Sequence, residues 1–181
     1  RMQGVFVSDN EVSAVTKHWL DQTGGRTFYD EDILAFTEAE EGGGADGGNG
    51  GSVSLDAGGA TPTITHQTVT TTGGNRIGSG TAGTGGDISV ADASLLSAAT
   101  TIAAGGGSAG AGTGGHVTFG NTVDSSGSNR TLAVNTNGIT TFTGAVGETF
   151  ALTSLATDAP GSVRVGGNVT TTGVQTYNDP L

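Results

Sequence analysis

The sequence predicts a mainly β protein, a β-solenoid of stacked repeats with a short helical segment in front. Three observations predict it. The phrase Gly-Thr-Gly-Gly-Asp-Ile-Ser-Val (Gly83 to Val90) returns as Gly-Thr-Gly-Gly-His-Val-Thr-Phe (Gly112 to Phe119), and a looser copy, Gly-Gly-Ser-Val-Ser-Leu, runs from Gly50 to Leu55. Each copy is a glycine corner followed by an alternating strand, and copies come roughly every 30 residues, a spacing of stacked-repeat architectures. The second observation is composition: 35 Gly, 33% hydrophobic, 5% aromatic and 13% charged residues in 181, where average domains carry roughly 7% Gly and about 25% charge. Low charge argues against disorder, and Gly with Thr, Val and Ile suits short strands joined by tight corners. Third, apolar residues alternate from residue 51 onward, at Val53 and Leu55, Ile64, Ile88 and Val90, Val117 and Phe119, Leu132 and Val134, Phe150 and Leu152, and Val163 and Val165.

Residues 1–41 read as the helical segment. Gly4 to Val7 is a short strand, and Ser8 with Glu11 has capping-box spacing. Val12, Val15, Trp19 and Leu20 then form one apolar helical stripe that Gly24 and Gly25 terminate. A weaker helix spans about Asp30 to Glu40, its leading acids suiting the positive end of the helix dipole. Here the chain resembles a known family. The run RMQGVFVSDNEVSAVTKHWLDQ followed by YDEDIL is similar to the end of the motor domain in FtsK/SpoIIIE-type DNA translocases, matching at Gln3, Gly4, Phe6, Val7, Ser8, Glu11 and Val12, and at Tyr29, Asp30, Asp32, Ile33 and Leu34. The resemblance implies an ATP-driven DNA transporter whose motor is missing from this sequence. It covers about 40 residues, and no phosphate-binding G-x-x-x-x-G-K-[ST] loop occurs. The single lysine, Lys17, lies on the front helix. The segment reads as a structural remnant or fusion junction.

Residues 42–51 read as a flexible glycine-rich linker. Gly47-Gly48-Asn49-Gly50 is superficially similar to a calcium-binding nonapeptide repeat, but the aspartate position of that motif falls on Ser52, and one copy does not gather enough oxygens.

Residues 52–181 are the repeats. Short regular strands fit a β-sandwich or a solenoid, and the recurring glycine corner favours the solenoid, with about five coils of roughly 20 to 30 residues. Asn137-Gly138 is also a hairpin signal, so a local hairpin is expected to interrupt the stack. Four phrases carry a second resemblance: Gly115 to Phe119, Thr141 to Gly147, Thr157 to Gly161 and Val169 to Asp179. They resemble repeats of large bacterial surface proteins of the filamentous-haemagglutinin or adhesin type, closely over residues 115–181 and in style over 51–114. That resemblance implies a right-handed parallel β-helix, secreted or held at the cell surface, with host-cell surfaces or glycans as partners and neighbouring repeats packed end to end. Leu181 falls where a further repeat would start.

Net charge is −11. Seven of those units belong to residues 1–46, where ten acids face three bases, and four to residues 47–181, where seven acids face three arginines. A chain this acidic repels phosphate backbones, so no direct nucleic-acid binding is expected. No cysteine occurs, which excludes disulfides and thiol chemistry and suits the cytosol and cysteine-free surface proteins alike. No run of 18 apolar residues exists, so no membrane insertion is expected.

Chemistry is sparse. His18, His66 and His116 are far apart without metal-ligand spacing, so no metal is expected. Asp87, Asp92, Asp124 and Glu148 are the carboxylates from which a polysaccharide-cleaving pair would be drawn. Aspartates at turns more commonly bond nearby amides. The threonine runs at 70–72 and 170–172 read as strand surface able to order water or meet sugars. The sequence expectation is a non-catalytic structural or adhesive repeat without a cofactor, with the translocase fragment and a β-helix polysaccharide-acting enzyme as alternatives.

Overall fold

The computed structural model describes residues 45–59, 63–109 and 112–181, together with Ser13, Lys17, His18 and Asp21, all four of them helical. The capping box, the apolar stripe, the helix from Asp30 to Glu40 and the translocase-like phrases lie outside the described residues. The chain divides into two compact units, Arg1–Gly42 and Gly43–Leu181.

The second unit is mainly β, and its strands form parallel sheets. One sheet holds β1 (Val53–Leu55), β4 (Ile88–Val90), β7 (Val117–Phe119), β10 (Ile139–Phe142) and β12 (Ser162–Val165), in that order. A second holds β2 (Thr63–His66), β5 (Ala93–Leu96) and β8 (Val123–Ser125). The third orders β3 (Val69–Thr70), β6 (Thr100–Ala103), β9 (Thr131–Asn135), β11 (Ser154–Thr157) and β13 (Gln175–Tyr177). The chain therefore visits the three sheets in turn and then begins the next circuit. In the last two circuits the middle sheet narrows to single bridges, Val123 to Val146 and Val146 to Val169.

Register explains the repeated phrase. Val53, Ile88 and Val117 lie side by side, as do Leu55, Val90 and Phe119, so all three copies stack in one sheet. The circuit length is uneven: 35 residues from Val53 to Ile88, 29 from Ile88 to Val117 and 23 from Val117 to Thr140. Insertions fall in the corners, where they leave the ladders unchanged.

Alternate residues of most strands face a shared apolar interior, while β12 turns Val163 inward and leaves Val165 exposed. Ile88, Val90, Leu96, Ile102, Val117, Phe119, Val123, Leu132, Val134, Phe142, Val146, Leu152, Leu155 and Val163 are all essentially inaccessible. Like side chains stack on like: the Phe119 and Phe142 rings are 5.1 Å apart and 4° from parallel. Offset stacking of this kind adds to the area that the rings bury.

Three expectations change. The hairpin at Asn137-Gly138 is absent, since β9 and β10 belong to different sheets and every strand pairing is parallel. Gly138 also lies outside the glycines with positive φ. Its small size is used differently, because a Cβ there would stand 2.4 Å from the Gly115 carbonyl oxygen. The same close approach recurs from Gly115 to the Gly86 oxygen (2.3 Å) and from Gly86 to the Gly51 oxygen (2.4 Å), a column of corners in which backbone replaces side chain. Second, the described part of the 42–51 stretch is not a free linker. Gly47 N donates to Thr81 O, Gly50 N to Thr84 O and Gly74 N to Gly48 O. Glycine there permits close packing, with Cβ positions at Gly47 and Gly50 falling about 2 Å from the Gly74 and Thr71 oxygens. Third, Phe150 and Leu152 do not share a face. Leu152 is buried and makes a single bridge to Thr171, while Phe150 is 53% exposed.

Candidate functional site

A set of polar side chains in the β unit does one thing: a side-chain oxygen accepts a backbone amide from a neighbouring circuit. Thr81 N donates to Asp46 Oδ1 (2.7 Å), Thr84 N to Asn49 Oδ1 (2.9 Å) and Ser108 N to Asn75 Oδ1 (2.7 Å). Amides at corners have lost the strand-to-strand ladder and need another acceptor. A carboxylate or amide side chain supplies it without lengthening the turn.

Three of the four carboxylates considered for a catalytic pair belong to this set. Asp87 Oδ1 accepts from His116 N at 2.7 Å, and Asp92 Oδ2 from Ala57 N at 2.7 Å. Asp124, 6% exposed, accepts from both Thr149 N (2.9 Å) and Phe150 N (3.1 Å). Glu148 is exposed. Asp46 shows the electrostatic consequence of such bonding. The Thr81 amide and hydroxyl both donate to it and hold its pKa below the usual carboxylate value.

The histidines stay apart in role. His66 is buried in the second sheet and lies 6.3 Å from the Phe119 ring, near-parallel to it. Its Nδ1 is 3.2 Å from the Gln67 carbonyl oxygen, and its Nε2 has no partner among the described residues. His116 Nδ1 accepts from Ile139 N at 3.0 Å, so its neutral form carries the proton on Nε2. His18 lies in the other unit. No group of three or more His, Asp or Glu side chains able to hold a metal converges among the described residues.

The threonine runs are split between faces. Thr71 is buried and its hydroxyl donates to the Gly86 oxygen at 2.6 Å, while Thr70 and Thr72 are exposed. Thr171 donates to the Gly173 oxygen at 2.8 Å. A shallow open depression of about 350 Å³ is lined by Ser54, Leu55, Asp56, Ala57, Thr63 and Ile64.

Sequence reading passed over two acids. Asp158 and Asp179 sit in successive corners that follow β11 and β13. Asp158 Oδ1 accepts from Thr136 N at 2.8 Å, as the pattern demands. Asp179 is 5% exposed, and its two buried carboxylate oxygens make no hydrogen bond of ordinary geometry among the described residues, with the Thr157 hydroxyl the donor beside them. Burial raises the pKa of Asp158 against the Thr136 bond. Burial also raises that of Asp179, the Asp158 charge adds to the rise, and the Thr157 hydroxyl pulls the other way. The available signal was the Asp in both T-D-A-P-G and Y-N-D-P, two corner phrases that end a strand. Comparison of the chain with family models, with curated proteins and with solved structures finds no match.

Proposed function

We propose that residues 45–181 form a right-handed parallel β-helix and that this unit is a structural and adhesive repeat region of a large bacterial surface protein, non-catalytic. The observation that carries the reading is the three-sheet parallel stacking of the repeated phrases in register. Such stacking builds an extended surface from backbone bonds and small side chains. It leaves some threonines outward, among them Thr63, Thr65, Thr70 and Thr72, giving a polar face of low charge suited to hydrogen bonding with sugars. The corner acids support the same reading, since most of them brace one circuit on the next. The resemblance of residues 115–181 to adhesin repeats points the same way. The partners are then cell-surface glycans and further repeats, at the cell surface or in the secreted fraction.

The test is binding of the full chain, without ATP, to a glycan array and to cultured host cells. Saturable binding that a soluble glycan competes away is expected. Absence of binding to both surfaces by a folded, β-rich sample removes the adhesive reading.

A further inference from the structure

The corner between the third and first sheets recurs along the chain, and its last described copy carries an acid. Thr71, Ala104, Thr136, Ala159 and Asp179 each stand two residues past the stacked positions Val69, Ile102, Val134, Thr157 and Tyr177. All but Ala159, which is exposed, are buried. Where the residue is threonine, its hydroxyl donates inward to a backbone carbonyl: Thr71 to Gly86, Thr136 to Gly115 and Ala104. Asp179 occupies the same inward position, but an ionised carboxylate has no proton to give.

Other oxygens gather beside it at Gly161. The point at which a Cβ on Gly161 would stand lies 2.7 Å from Gly138 O, 2.8 Å from Thr136 O and 3.0 Å from Asp179 Oδ1. Gly138 O keeps a free lone pair after accepting from Ser162 N. Thr157 Oγ1, on a residue 1% exposed, makes no hydrogen bond of ordinary geometry among the described residues, and its hydroxyl lies beside the Asp179 carboxylate. Asp158 is close enough for its charge to act on Asp179, and only its Oδ1 is occupied, by Thr136 N. A buried carboxylate facing carbonyl oxygens, a hydroxyl and a second carboxylate either takes up a proton or pairs with a cation, and at neutral pH a cation among these oxygens satisfies all of them at once.

We propose that this corner binds calcium. Its donors would be the Asp179 carboxylate, Asp158 Oδ2, Thr157 Oγ1 and the carbonyl oxygens of Thr136 and Gly138. The set is all oxygen, which selects a hard cation over zinc or copper. Two carboxylates balance a divalent charge, and the irregular mix of carboxylate, hydroxyl and carbonyl suits the flexible shell of calcium better than the strict octahedron of magnesium. With two acids the affinity belongs to the weak class, a Kd on the order of 10⁻⁴ to 10⁻³ M. Bound there, the ion ties the corner after β13 to the corners after β9 and β11.

The test uses the full chain in chelator-treated buffer at neutral pH, titrated with CaCl2 and followed by calorimetry and thermal unfolding. Saturable calcium binding is expected, with a Tm rise of roughly 3–7 °C at about ten times Kd or more. NaCl of equal ionic strength and MgCl2 should each give less. Asp179→Asn should abolish the calcium response while unfolding no earlier than the parent in chelator, because the substitution removes an uncompensated buried charge. Asp158→Asn should weaken binding at least tenfold. The proposal is overturned if the parent binds no calcium, if NaCl reproduces the shift, or if Asp179→Asn keeps it. Should Asp179→Asn fail to fold, calorimetry on the parent and on Asp158→Asn decides alone.

Discussion

Asp87, Asp92 and Asp124 show how a residue type suggestive of catalysis serves architecture. Each carboxylate spends its lone pairs on amides that have left the ladder. Substituting Asp124 by Ala strands two amides and should cost about 1–3 kcal/mol of unfolding free energy, measurable by urea denaturation. Thr136→Val keeps the shape and removes a hydroxyl that serves two buried carbonyls and accepts from Gly138 N. A loss of similar size, about 1–3 kcal/mol, is expected. Asp158 and Asp179 set a pH dependence of opposite sign to Asp46. Their folded pKa values lie above 3.8, so the folded chain takes up protons before the unfolded chain does. In calcium-free buffer, their contribution should raise Tm as pH falls from neutral toward 3.8, and Asp179→Asn should flatten that rise. Asp46, lowered below 3.8, stabilises fully above that value and loses its contribution only as pH falls through its folded pKa.

Among the elements, the glycine corner carries the most exacting geometry. Strands of two to five residues are too short to fix register by themselves, so the corners must bring each circuit back at the same height. The column Gly51, Gly86, Gly115 and Gly138 does so by letting one backbone rest on the next. Gly115→Ala drives a methyl to 2.3 Å from the Gly86 oxygen and should destabilise the unit by about 3 kcal/mol or more. Gly48→Ala, with nothing within 4 Å of its Cβ, should stay within about 0.5 kcal/mol of the parent. Equal losses from both substitutions would show that close approach does not set the cost, since the loss of glycine's chain freedom by itself favours the folded state.

At the scale of the whole β unit, stability runs from circuit to circuit through one continuous apolar interior. Phe119 sits at its middle, between His66 and Phe142. Phe119→Ala should cost about 3–5 kcal/mol. Because each circuit contacts mainly its neighbours, protection should be graded along the chain. Amide hydrogen exchange is expected to be slowest over β4 to β11 and fastest over residues 45–51 and β13, the first and last circuits described.

Much of this arrangement was readable before any coordinates. The phrase repeated at Gly83 and Gly112, and its looser copy at Gly50, announced strands and their stacking partners, because in-register parallel pairing demands like residues at like positions. Alternation also marked Ile88, Val90, Val117, Phe119, Leu132 and Val134 as interior, since successive strand side chains point to opposite faces. Local pattern failed where glycine has two uses. Asn137-Gly138 has the composition of a hairpin, and Gly47 to Gly51 that of a loose linker. Only neighbours distant in sequence turn both into packed corners. The Asp179 corner was hidden for the same reason. Its meaning comes from oxygens contributed by residues 136, 138, 157 and 158, and a chain read in order does not reveal which atoms three passes through the same corner will bring face to face.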